Sequence, residues 1–394
     1  MRTTRVTAFL TCIALLAAAC GTSVPSGALT ELGEGEGELN LVIWAGYAES
    51  GETLPEFDWV TPFEEETGCI VNATPMADSA AGVQLLRSGE YDGGSFSGNA
   101  TDRLMAAGDV APVNVALLPN YANVFAGLKL QPHNSLDGTP YGVPHGRGPN
   151  LLMWNTEEVE TQTTWDGIWE NAADHEGKIS IYDSQDFIAD AALHLMATQE
   201  DLGITNPYQL TQVQFDAAIA LLEEMFSHGP QFWSGATFTE QITAFAAGDV
   251  TIGTTWQYQV LSLLAGDPPA PIEAIKPAEG TTGWSDTWMI ASDAAHPNCM
   301  YRWMNHMMSA QANGQATVYF GEAPTSQAAC DYAETFEDGT YAGHCETTHA
   351  TDEPYWEDVW YWSTAREDCA DEDADTTCVD FDAWVEAWTT LRGG

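Results

Sequence analysis

Apolar and polar positions fall into two rhythms along this chain. Apolar runs of strand length occupy residues 39–44, 69–73, 178–182, 250–256 and 284–290. Between them, apolar residues recur every three or four positions: Phe215, Ile219, Leu222 and Phe226 share one helical face, as do Ile242, Phe245 and Ala246. The first rhythm belongs to a buried strand and the second to an amphipathic helix. Stop signals agree with this division. Gly68 ends a helix over 60–67, Leu85–Gly89 closes a short one, and Gly229-Pro230 stops the helix over 214–226. Thr239 and Gly248 bracket 240–247, Pro297 and Gly314 bracket 298–313, and a short helix is expected at 165–171. Asp183 and Ser184 stand ready to cap a helix over 187–195. Tyr91-Asp92 leads into a turn rich in Gly and Ser. Strand and helix therefore alternate, which predicts βαβ units, a mostly parallel sheet and an α/β fold without internal repeats.

The N-terminus follows neither rhythm. Arg2 and Arg5 precede an apolar run, Val6–Ala19, too short to span a bilayer, and residues 1–19 read as a secretory signal peptide. Cys20 follows Leu15-Leu16-Ala17-Ala18-Ala19 and resembles the acylated cysteine of a bacterial lipobox, with Ala17 where Leu is usual. The alternative is ordinary cleavage after Ala17-x-Ala19. Residues 20–38 are rich in Gly, Ser, Thr and Glu, the composition of a flexible, self-repelling tether. No later run is long enough to span a bilayer. The expected location is extracytoplasmic, periplasmic or on the outer face, with membrane attachment only through the N-terminal lipid.

Charge narrows the partners. Against 58 Asp and Glu stand 11 Lys and Arg, a formal net charge of −47. Nucleic acid is excluded, because phosphate binding needs basic patches. Anionic membrane surfaces are repelled and cations are attracted over long range. Lysine occurs only at 129, 178 and 276, a composition suited to saline solvent. There the Debye length shrinks to roughly 3 Å at 1 M salt and screens the self-repulsion.

Six cysteines remain beyond Cys12 and Cys20, an even number in an oxidising compartment. Local spacing favours Cys330–Cys345 and Cys369–Cys378, which leaves Cys69–Cys299. A nucleophile elbow, a phosphate loop and a dinucleotide fingerprint are all missing, and the nine histidines form no base–orienter pattern. The chain therefore reads as a non-enzyme without a cofactor.

Several landmarks, in order, resemble the substrate-binding proteins of ABC importers, in particular the spermidine/putrescine-binding branch. They are the strand and loop with Trp44 and Tyr47, Phe63–Gly68 before a β-run, Tyr91-Asp92 with Ser95–Asn99, Tyr141-Gly142-Val143-Pro144 before Asn150, the stretch Gly248–Trp256, and Trp284-Ser285-Asp286. The resemblance spans roughly 38–394. It implies a periplasmic-binding-protein-like fold, with two α/β lobes, crossing hinge strands and a cleft between them. Lobe 1 would take 38–147 plus 287–334, and lobe 2 would take 148–286 plus 335–394. It also implies a monomer that closes on a small-molecule ligand and is read by ABC permease subunits.

A cationic amine needs flat apolar walls for its methylenes, and carboxylates or ring faces for its ammonium groups. By the resemblance, Trp44, Tyr47, Trp256 and Trp284 are the walls, Asp286 is the anchor, and Ser97 and Asn99 donate hydrogen bonds. As residues alone, the tryptophans could equally be core, and Ser97 and Asn99 turn residues. Two positions depart from the polyamine binders. Their acidic pair after the second-lobe strand falls here on Ser184 and Phe187, with Asp183 and Asp186 one residue earlier. A family Tyr is replaced near Glu322, and Asn99 stands where another Tyr is expected. We count Asp183 and Glu322 as ligand residues on this basis. Rival readings are the same fold holding a sugar or neutral zwitterion and, more remotely, a secreted hydrolase.

Two weaker signals remain. Asp371, Asp373, Asp375 and Asp382 have calcium-loop spacing, but Thr376 replaces the required Gly, so a solvated acidic loop is the simpler reading and no metal is assigned. His344, Cys345 and His349 lack the His-Glu-x-x-His pattern. Tyr355, Trp356, Val359, Trp360 and Trp362, like Trp384 and Trp388, are spaced as core contacts.

Overall fold

The computed structural model describes residues 24–369 and 376–393. Residues 1–19, expected to be a signal peptide, Cys20 and the acidic positions Asp371, Asp373 and Asp375 lie outside the described residues. Two five-stranded sheets organise the chain. The first has the spatial order Ile70–Pro75, Glu38–Ile43, Gly93–Phe96, Thr287–Ile290, Gly142–Pro144. Its first three strands run parallel, and Thr287–Ile290 runs antiparallel to both neighbours. The second repeats the plan as Gln231–Trp233, Ile179–Tyr182, Ile252–Thr255, Leu151–Asn155, Ile272–Ile275. Here too three strands are parallel, and Leu151–Asn155 is antiparallel to both of its neighbours. A third sheet of Val359–Tyr361, Thr281–Trp284 and Gly148–Pro149 carries the chain between them. Each large sheet has its own apolar core, one centred on Leu41, Trp288 and Trp303, the other on Ile181, Phe187 and Trp233.

Most predicted helices form with the expected signals. Val60–Thr67 ends on Gly68 in the left-handed conformation, φ 71°, whose N–H reaches Glu64 O. Gln212–Ser227 opens with a Thr211/Gln214 capping box, and Phe238–Ala247 stops at left-handed Gly248. The disulfides are Cys69–Cys299, Cys330–Cys345 and Cys369–Cys378, as spacing favoured. Cys345 is thereby removed from any metal-ligand role.

Five local readings are corrected. The Gly/Ser stretch after Asp92 is a fully buried strand, Gly93–Phe96, at the centre of the first sheet. A Cβ on Gly93 would lie 2.2 Å from Met289 O, so only glycine allows the neighbouring strand to pack there. The helix over 298–313 is two helices, Pro297–Met307 and Ala310–Phe320, with Ser309 capping the second. Gly314 lies inside it, where a Cβ would come within 2.7 Å of the Tyr332 ring, so this glycine serves helix packing and ends nothing. The apolar run 284–290 is broken after Trp284 and resumes at Thr287, because the chain there leaves the crossing sheet for the first sheet. Residues 165–171 form only a single 3-10 turn, Trp165–Gly167. Thr237 and Asp186, not Thr239 and Asp183, occupy the N-cap positions of their helices.

Candidate functional site

In doubly wound α/β sheets, ligands gather beyond the carboxyl ends of the parallel strands. Those ends face one another here. Trp44 follows Glu38–Ile43, Ser97 follows Gly93–Phe96, and Trp256 follows Ile252–Thr255. The two inter-sheet links, His145–Arg147 and Ser285-Asp286, run past the same place. The halves touch along this seam. Trp44 lies where a Cβ on Gly235 would come within 3.3 Å of its ring. A Cβ on Gly98 would come within 1.8 Å of Trp362 O. Thr364 Oγ1 donates to Asn99 O at 2.6 Å.

Asp286 is the centre of the first-sheet side. Its Oδ1 accepts from Ser97 Oγ at 2.6 Å and its Oδ2 from Tyr47 OH at 2.8 Å. Its carboxylate therefore faces two neutral side-chain hydroxyls. The Tyr47 ring stacks on His145, centroids 4.1 Å apart. The other face of this group leads to Glu322, whose Oε1 lies 3.4 Å from His145 Nε2. Burial raises the Asp286 and Glu322 carboxyls above the ordinary carboxylate range and holds the Tyr47 hydroxyl well above its usual value.

On the second-sheet side, Asn99 Nδ2 reaches across to Asp186 Oδ2 at 2.6 Å, and Ser184 Oγ donates to the same oxygen. One helical turn further, Asp190 accepts from Tyr182 OH and from Thr282 Oγ1. Asn150 links Thr282 to the Trp256 indole N–H, which it accepts at 3.0 Å. Desolvation pushes Asp186 up to about 6 and Asp190 up to about 7.

Of the residues singled out from sequence, Trp44, Tyr47, Ser97, Asn99, Trp256, Trp284, Asp286 and Glu322 all lie along this seam and its crossing links. The indole N–H groups of Trp44 and Trp284 are buried and have no hydrogen-bond partner among the described residues. Asp183 is not brought there. Its carboxylate holds Arg392 by two contacts of 3.0 Å and accepts the Trp388 indole N–H, anchoring the helix Phe381–Gly393 on the outside of the second half. Asp186, one turn on, is the acid that reaches the seam. Asp190 and His145 went unread. The available signal for Asp190 was an acid inside the otherwise apolar stretch Phe187–Leu193. His145 carried none beyond its place after Tyr141–Pro144.

The resulting electrostatics are unusual. Asp186, Asp190, Asp286 and Glu322 are each no more than 4% exposed. Among the described residues no lysine or arginine forms an ion pair with any of them, and the only such contact is that of His145 with Glu322. Buried carboxylates without cationic partners are costly unless they are protonated or a positive guest joins them.

Two α/β halves joined by crossing strands, with their polar loops facing across a seam, define a solute-binding protein. The chain matches the bacterial extracellular solute-binding proteins over residues 58–342 and belongs to that family. It is 21% identical over 298 residues to the spermidine/putrescine-binding periplasmic protein of Escherichia coli, covering 72% of this chain and 81% of that protein. The solved spermidine/putrescine ABC transporter substrate-binding protein of Streptococcus pneumoniae superposes with a TM-score of 0.64 at 16% identity, covering 90% of this chain and 98% of that one. The MotA binding protein of A. tumefaciens, solved with glucopine, gives 0.63 at 17% identity, covering 90% and 99%. These likenesses place the fold among ABC-transporter substrate-binding proteins. Among the described residues no helix is long and apolar enough to cross a membrane.

Proposed function

We propose that this protein captures a small cationic amine, of the polyamine class, between its two halves and delivers it to an ABC permease. The observation that carries the reading is the set of buried acids at the seam, Asp186, Asp190, Asp286 and Glu322, with no lysine or arginine paired to them. Indole and phenol faces beside those acids suit the methylenes and ammonium groups of such a ligand. The names of the curated relatives point the same way. Trp44, Tyr47, Trp256 and Trp284 form the walls, Ser97 and Asn99 orient the acids, and Asp286 anchors one ammonium. Asp186 takes the second-half role expected of Asp183. The halves, 38–147 plus 287–334 and 148–286 plus 335–394, close about the crossing strands, and ligand free energy favours the closed state. Cys20 carries the lipid that keeps the monomer at the outer membrane face. No step of chemistry is involved.

Titration calorimetry of the purified chain against putrescine, spermidine and a sugar panel tests this. Putrescine or spermidine binds and the sugars do not. Asp286→Asn weakens amine binding by about 100-fold, the loss of a charge-assisted contact in a desolvated site. Sugar binding that survives this substitution would defeat the amine reading.

A further inference from the structure

Away from the polar loops of the seam, the second half carries a cluster of metal-ligating side chains. Asp166, Glu170 and His194 each present one donor atom, and these atoms all lie within 4.8 Å of one another. They come from two separate pieces of chain. Asp166 sits in the 3-10 turn Trp165–Gly167 with Glu170 four residues on, and His194 comes from the helix Phe187–Thr198. The Trp169 ring packs against the imidazole, centroids 6.0 Å apart, while the Glu170 side chain is half-exposed.

The histidine is fully buried, and its Nε2 lies 2.6 Å from Glu170 Oε1. Two lone pairs do not meet at that distance without a positive charge between them, either a proton or a metal ion. A proton needs only these two partners. Asp166 brings a third donor into the cluster, which a proton leaves unused and a metal ion takes up.

A second observation lies behind the ring. Nδ1 is buried, has no hydrogen-bond partner among the described residues, and faces Glu279 Oε1 at 3.7 Å. The Glu279 side chain is 9% exposed. Its Oε1 accepts the Trp165 backbone N–H at 2.9 Å, and its Oε2 is buried without a partner among the described residues. A carboxylate behind the far nitrogen of a histidine is the support that metal-bound imidazoles use to fix their tautomer and raise their basicity. The Trp165 indole N–H donates to Gly280 O at 2.9 Å, which ties that support to the turn carrying Asp166.

Donor chemistry selects the ion. Calcium and magnesium take oxygen ligands, whereas imidazole suits zinc and its first-row neighbours, which also accept carboxylates. At bond lengths of about 2.0–2.2 Å, the ligand atoms around one zinc ion stand about 3–4 Å apart, so small rotations of the two carboxylates gather the set.

We propose that Asp166, Glu170 and Nε2 of His194 bind one divalent first-row transition metal ion of the zinc type, with Glu279 as the outer support of the imidazole. The ion staples the turn Trp165–Gly167 to the helix Phe187–Thr198, one turn beyond Asp190.

Titration calorimetry of the EDTA-treated, dialysed full chain with zinc chloride in 1 M sodium chloride, where charges on the acidic surface are screened, tests this. One zinc ion binds per chain, and equal concentrations of calcium or magnesium chloride do not displace it. Asp166→Asn and Glu170→Gln each weaken zinc binding by about 100-fold, and Glu279→Gln weakens it by about 10-fold, within the range in which outer partners act. Zinc raises the melting temperature of the wild type and leaves that of the Asp166→Asn/Glu170→Gln protein unchanged. Should the double variant not fold, Glu170→Gln alone decides, since its side chain is half in solvent. A wild type that binds no zinc overturns the site. Zinc uptake of equal strength in wild type and variants is adventitious binding to the acidic surface and overturns it as well.

Discussion

Single residues at the seam carry charge that the fold has removed from water. Asp186, raised to about 6, and Asp190, raised to about 7, hold their protons more tightly in the native state than in the unfolded chain. Between the ordinary carboxylate range and about pH 7 the native state thus binds more protons, so stability falls as pH rises through that window and levels off above it. The ligand-free protein accordingly melts higher at pH 5 than at pH 8, and Asp190→Asn flattens part of that slope. Identical slopes for wild type and variant would show that Asp190 does not titrate in the folded state as described. Amine affinity runs in the opposite direction and strengthens from pH 5 to 8, as the same acids become available to a cation. At this scale the sequence pointed to Asp286 and to the walls through a resemblance. It could not separate Asp183 from Asp186. Both flank one strand end, and only the docking of the helix Phe381–Gly393, with Arg392 over Asp183, assigns one to the surface and the other to the seam.

Elements were legible where local chemistry decides them. The glycine that closes Val60–Thr67 and the amphipathic face of Gln212–Ser227 are properties of a few neighbouring residues, and both appear as read. Elements shaped by distant backbone were not. Gly93–Phe96 has the composition of a turn, yet it forms the middle strand of a sheet because Glu38–Ile43 and Thr287–Ile290 close on it from either side. Its glycines answer to steric room. Gly93→Ala would set a methyl 2.2 Å from Met289 O and 2.8 Å from Met300 Cε. The expected result is a loss of about 1–3 kcal/mol in urea unfolding, the usual penalty for overpacking. A midpoint equal to wild type would mean that the strand can shift without cost.

For the whole molecule, the dominant fact is a net charge of −47 spread over a body whose few basic residues are largely committed to local pairs. Self-repulsion opposes the compact state and weakens as salt shortens the Debye length from about 10 Å at 0.1 M to about 3 Å at 1 M. Melting temperature at pH 7 should therefore rise steadily over that range in sodium chloride. A flat or falling curve would show that surface repulsion is not a significant term.

Composition and periodicity, read by themselves, settled the α/β class, the acidic character that excludes nucleic acid, and some helix ends such as Gly68 and Gly248, because each follows from residues close together in the chain or from the overall composition. Tertiary structure alone decided which acids share the seam. Asp286 meets Ser97 across 189 positions and Tyr47 across 239, and Asn99 meets Asp186 across 87. Contacts at such separations come from the way two sheets exchange strands, and that exchange is set by packing of the whole chain, which no local pattern encodes.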